Sequence, residues 1–198
     1  MRWDRFFEDL ESQLDSEWEA ERAALDSEAE RLRISRLPLR ERLQTLSADP
    51  AVQLSVELVD GSAVTGRLTA VGADWIGMTD AGGHTVVIAV DAVVGVGMPE
   101  ADLLRSARAS PPAPRRLAER MAVGFVLRDL ARRRLPVTLH LRVGRTLAGT
   151  IDRALADHLD LALHDVGEPR RAGSIAGVRM VPLPAVAWVR IEAHAVGV

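Results

Sequence analysis

Leu54–Met78 reads LSVELVDGSAVTGRLTAVGADWIGM, and 83 residues later Val137–Leu161 reads VTLHLRVGRTLAGTIDRALADHLDL. The two runs align without a gap. Leu58, Gly61, Gly66, Ala73 and Asp74 are identical to Leu141, Gly144, Gly149, Ala156 and Asp157. Five identities in 25 positions are few, but the physics of the shared positions is the same. Leu54, Val56 and Leu58 alternate, and Val137, Leu139 and Leu141 alternate in phase with them. Such alternation predicts a strand with one buried face. Gly61 and Gly144 fall where the chain must turn, and Asp60-Gly61 is a hairpin dipeptide. The next runs, Val64–Val71 and Leu147–Ile151, each hold an interior glycine, Gly66 or Gly149. Glycine inside a strand marks a bend or a close backbone approach.

Working outward, a third strand is predicted after Asp74 and after Asp157. A fourth and fifth follow at Thr85–Val90 and Val93–Val96, and again at Val178–Leu183 and Val186–Ile191. Tight corners at Asp91-Ala92 and Pro184-Ala185 separate them. The second copy has about ten extra residues before its fourth strand, including Glu168-Pro169-Arg170-Arg171. Each unit thus reads as five short bent strands. Closure into a barrel removes exposed edges, and glycine at the bend suits closure.

The pattern Leu58-Val59-Asp60-Gly61, Gly66-Arg67-Leu68 and Asp74-Trp75-Ile76 resembles the Sm-like superfamily, which includes the LSm and Hfq proteins. An SH3-like small barrel shares this pattern. The resemblance covers two segments, about half of the chain. It implies an α+β fold of two small Sm-like five-strand barrels, with a long N-terminal helix and a linking helix. The expected domains are a helical segment over 1–47, a first barrel over 48–98, a linker over 99–114, and a helix plus second barrel over 115–198.

Residues 3–34 are predicted to form one helix. Trp3, Phe7, Leu10, Leu14, Trp18, Leu25 and Leu32 follow steps of three, four or seven amid Glu, Asp, Arg, Ser and Ala. Such a helix is about 45 Å long, too long for one small barrel to cover. Trp3, Phe7, Leu10, Leu14, Trp18 and Leu25 are the candidate association stripe; the bland alternative is a helix laid over both barrels. Glu17, Glu21 and Glu28 interrupt a strict heptad. Pro38 breaks the chain before a short helix at Leu39–Leu46. A counterpart is predicted at Arg115–Arg134 after the stiff link Pro111–Pro114, and Glu100–Arg108 reads as another short helix.

Composition excludes much chemistry. The 198 residues contain no Cys, Lys, Asn or Tyr, so all 25 basic residues are Arg. That removes thiol nucleophiles, disulfides, thiolate zinc sites, a P-loop lysine and Schiff bases. Uniform Arg with abundant Ala and Val suggests a high-GC bacterial genome. The acidic N-terminus predicts no signal peptide, and no run has the length of a membrane span; a cytoplasmic protein without membrane contact is expected. Asp157-His158-Leu159-Asp160 is the one His flanked by carboxylates, and it reads as a solvated turn. No catalytic, cofactor or metal site is predicted.

Charge is segregated. Residues 1–34 are net −6, residues 52–98 net −4, and residues 105–134 net +7. The basic stretch suits phosphate contacts or an acidic helix of its own or another chain. The resemblance implies an RNA pocket made of a stacking residue, an Asn and an Arg-Gly pair. This chain has no Asn, and its corners Val90-Asp91-Ala92-Val93 and Leu183-Pro184-Ala185-Val186 lack Arg-Gly. The expected function is therefore a non-enzymatic assembly or adaptor protein that binds itself or a protein partner. The alternative is a nucleic-acid (RNA)-binding regulator, with Arg128, Arg132, Arg133, Arg134, Arg170, Arg171 and Trp75 as contacts.

Overall fold

The computed structural model describes the backbone of residues 2–108, 117–165, 167 and 170–192, and their side chains from residue 13 onward apart from Ala172. The chain divides into two units, residues 1–41 and 42–198. In the first, α1 (Arg2–Ser35) is rich in Glu, Arg and Ala, which favour helix, and Pro38 prevents its continuation. Its described side chains are exposed, Arg33 alone being half-buried. α2 (Leu39–Ser47) follows, and its Leu43 and Leu46 are buried in the core of the larger unit.

The larger unit runs β1 (Gln53–Leu58), β2 (Ala63–Val71), β3 (Trp75–Asp80), β4 (Thr85–Ala89), β5 (Val93–Gly97), α3 (Glu100–Ser106), α4 (Val123–Arg133), β6 (Pro136–Leu141), β7 (Thr146–Ala154), β8 (His158–Leu163), β9 (Gly177–Pro182) and β10 (Val186–Ile191). The corners before β5 and β10 are single 3-10 turns, Val90–Ala92 and Leu183–Ala185. The segment expected as one helix over Arg115–Arg134 is instead a 3-10 turn, Leu117–Arg120, followed by α4. Pro111–Pro114, Arg115, Arg116, Glu168 and Pro169 lie outside the described residues.

The two halves share their local geometry. Leu54 faces Gly66 and Val137 faces Gly149; Gly66 faces Asp80 and Gly149 faces Leu163. A bulge follows Leu68 in β2 and Ile151 in β7. Gly61 and Gly144 turn with φ of 82° and 77°, a left-handed conformation that glycine adopts without strain. Val64, Leu68 and Ile151 are buried, while Leu147 is half-buried. Each half has its own core, the first closed by Leu43 and Leu46 of α2, the second by Leu127 and Leu130 of α4.

The expectation of two closed five-strand barrels is overturned. The ten strands form one open antiparallel sheet in the order β5-β1-β2-β3-β4-β10-β6-β7-β8-β9. The α+β class stands. The physical reason lies at β4, whose outer N–H and C=O groups need partners. They find them not in β5 of their own half but in β10. Trp188 faces Ile88, Val189 faces Val87, Arg190 faces Val86 and Ile191 faces Thr85. Joining the halves satisfies the edge that closure was expected to satisfy.

Candidate functional site

The β4–β10 junction carries a polar clasp as well as a ladder. The Trp188 indole N–H donates to Asp60 Oδ2 at 3.0 Å and to Ser62 Oγ at 3.1 Å. Its ring stacks on His140, with centroids 3.5 Å apart and planes 13° from parallel. Ser62 donates to Asp60 Oδ1 from its backbone N–H and its hydroxyl. Across the same junction, Arg142 donates to the backbone oxygen of Asp91 at 3.1 Å and to its carboxylate. Asp60-Gly61 is therefore more than a turn dipeptide. It presents an acceptor to the other half.

These groups respond to acid in one direction. Burial lowers the affinity of the His140 ring for a proton, and Arg190 lowers it further against the opposing pull of Asp60 and Glu192. His140 Nε2 is buried without a hydrogen-bond partner among the described residues. Burial works to raise the Asp60 carboxyl, but hydrogen bonds from Ser62 and Trp188 outweigh it and hold it below its ordinary value. The unfolded chain takes a proton on His140 near pH 6.5, the folded chain only at lower pH. Stability from this group is thus complete above about pH 6.5 and is lost as pH falls through the folded value. The urea midpoint should fall between pH 7 and pH 5, and His140→Phe, which keeps a stacking ring, should flatten that limb. An unchanged limb in His140→Phe would assign the acid loss elsewhere.

The outermost strands, β5 and β9, have one neighbour each. By chain position β9 corresponds to β4, and β5 to β10. Comparing exposures shows what the junction covers. Val87 of β4 is 3% exposed, and its counterpart Met180 of β9 is 71% exposed. Ala187 of β10 is 0% exposed, and its counterpart Val94 of β5 is 65% exposed. The clasp positions also differ at the free ends. Glu57 and Gly95 stand where the junction has His140 and Trp188, and Val143 and Arg145 stand where it has Asp60 and Ser62. Glu57 and Arg145 are exposed, and neither has an ionic partner among the described residues. By chain position, the half that ends in β5 thus has an acid, and the half that ends in β9 a base, where the internal junction has its clasp.

The predicted nucleic-acid contacts do not gather into one site. Trp75 is buried, and its indole N–H donates to the Met121 carbonyl at 2.8 Å. A Cβ on Gly72 would come within 2.0 Å of its Nε1, so the ring lies against that glycine rather than open to a base. Arg132 and Arg133 both pair with Asp129, whose carboxyl the Arg132 hydrogen bond holds below its ordinary range. Arg134 and Arg170 both pair with Asp152. Arg171 donates its backbone N–H to Ser174 Oγ at 3.1 Å, and Arg128 is exposed. His158 Nδ1 lies 2.6 Å from Asp157 Oδ1 at the start of β8. Among the described residues no three His or carboxylate side chains are grouped to hold a metal. Of the association stripe, Leu14, Trp18 and Leu25 are exposed; the side chains of Trp3, Phe7 and Leu10 lie outside the described residues.

Asp74 serves a helix rather than only its turn. Its Oδ1 accepts the Val123 N–H at 2.7 Å, capping the first turn of α4, while its carbonyl accepts the Val90 N–H at 2.9 Å. Asp74→Ala should cost about 1 kcal/mol, the usual loss for a helix cap, read as a lower urea midpoint with an unchanged slope.

No protein-family model matches the chain, and no curated protein or solved structure matches it. No described helix is long and apolar enough to cross a membrane.

Proposed function

We propose that this chain is a non-enzymatic assembly protein whose free edges β5 and β9 join copies head to tail. The observation that carries this reading is the internal junction itself. The strand pair that unites the halves has an unpaired counterpart at each end of the sheet. Aligning β9 on β4 and β5 on β10 fixes the register: Val181 opposite Gly95, Met180 opposite Val96, Arg179 opposite Gly97 and Val178 opposite Met98. Exposed apolar side chains on unpaired edges are a liability unless another strand covers them. The contact is heterologous, so it generates a ring if the rotation closes and a filament if it does not.

Charge supports the same pairing. Glu57, paired with Gly95 of β5, and Arg145, in the turn between β6 and β7, occupy the positions equivalent to His140 and Ser62 of the internal clasp. The test is a charge exchange read by sedimentation of the full chain. Glu57→Arg and Arg145→Glu should each lower the solution mass at a given concentration, and the double variant should recover it. Single variants indistinguishable from the parent would remove these residues from the interface. Four of the seven expected nucleic-acid contacts, Arg132, Arg133, Arg134 and Arg170, pair with Asp129 or Asp152, and Trp75 is buried, so the nucleic-acid reading ranks below this one. Tight oligonucleotide binding that survives high salt would reverse that order.

A further inference from the structure

Most large apolar residues of α1 fall in three series of eleven-residue steps, broken once by Glu21: Trp3, Leu14 and Leu25; Phe7, Trp18 and Ala29; Leu10, Glu21 and Leu32. Eleven residues in three turns is about 3.67 per turn, close to the 3.6 of a straight helix. The stripe therefore holds one face along the whole helix, where a seven-residue repeat would wind off it. Leu14, Trp18, Leu25 and Leu32 stand exposed along this face, Trp18 at 68%. Glu21 is its one charged residue. Helices of this kind draw most of their stability from burying the apolar face.

We propose that the occupant of this face is α1 of a second copy of the chain, running antiparallel. Charge decides the direction. Residues 4–17 carry six acids and one Arg, whereas residues 31–36 carry three Arg and no acid. Parallel pairing lays acid on acid; antiparallel pairing lays each basic end on the partner's acidic end. The same polarity suits the helix dipole, but the dipole requires no apolar stripe. The spacing fits the reversal as well. Positions 7, 10, 14, 18, 21, 25, 29 and 32 map onto themselves when the direction is inverted. Phe7 then meets Leu32, Leu10 meets Ala29, Leu14 meets Leu25, and Trp18 meets Glu21. By the same inversion position 33 falls opposite position 6 of the second copy, between the acids at 4 and 8, and Arg22 falls opposite Glu17.

The chain lacks cysteine, so introduced thiols report alone. In full chains that also carry Met180→Lys, to silence the sheet edge, Leu14→Cys and Leu25→Cys variants are oxidised singly and as an equal mixture. The mixed 14-to-25 cross-link should exceed either same-site cross-link several-fold. Glu21→Leu should tighten the dimer about tenfold or more by replacing a charge in the seam, and Leu25→Asp should dissociate it. Same-site cross-links in the separate variants would overturn the antiparallel direction. A mass independent of concentration in the Met180→Lys parent and in Glu21→Leu alike would overturn the pairing itself. Neither result bears on the sheet-edge reading.

Discussion

Met180→Lys is expected to end sheet-edge assembly without unfolding the chain. Met180 is largely exposed in the single copy, so a Lys there stays in water and the fold loses nothing. In the assembled state the same position is the counterpart of Val87, which the internal junction buries. An unpaired ammonium in that environment costs several kcal/mol, which outweighs a short ladder of backbone hydrogen bonds. Val94→Lys blocks the other edge by the same logic, since its counterpart Ala187 is fully buried. The two variants separate a head-to-tail contact from a self-complementary one. In a Leu25→Asp background, where α1 pairing is removed, each should sediment as a monomer. An equal mixture should form one junction, β5 of the first variant on β9 of the second, and stop at a dimer. A mixture that stays monomeric, or either variant assembling alone as the parent does, would sink the edge-pairing proposal.

The strands were legible because alternation is a local property. Buried and outward-facing positions alternate along β1 and most of β2, and the pleat does the rest. The open sheet was less legible, because pairing between β4 and β10 joins residues about a hundred positions apart. One signal is nonetheless local. Thr85–Ala89 reads TVVIA, an unbroken apolar core of the kind found where both faces are covered, whereas the matching β9 interrupts its run with Arg179. The contrast marks β4 as interior and β9 as an edge. The Arg-rich segment misled for a different reason. Net charge counts Arg132 and Arg133 as free cations, but Asp129 stands three and four positions before them on one helix face. Trp75 misled because a surface indole and a buried one look alike until Gly72 and Met121 close over it. The roles of Glu57 and Met180 are not legible in the sequence, since nothing local shows which residues flank an unpaired edge.

Gly66→Ala and Gly149→Ala should be among the most damaging single substitutions in the sheet, the second the worse of the two because Gly149 also holds a φ of 156°. A Cβ at Gly66 would lie 2.1 Å from the Thr79 carbonyl oxygen, and at Gly149 it would lie 1.9 Å from that of Ala162. Both obstacles are backbone atoms of the neighbouring strand, in registered pairs with the glycine's own strand. No rotamer change relieves them, so the strand pair must move apart by about an ångström, breaking ladder bonds and loosening the core on one side. A glycine inside a strand is what lets a neighbouring backbone come this close. The cost should be about 3 kcal/mol at Gly66, at the upper end of overpacking penalties, or roughly 10 °C in Tm for a chain of this size, and more at Gly149. By contrast, Gly167→Ala and Gly177→Ala, where an added Cβ meets nothing within 4 Å, should change the urea midpoint little. A Gly66→Ala variant as stable as the parent would mean that the strands do not approach as closely as this, and the close approach shared by the two halves would lose its physical basis.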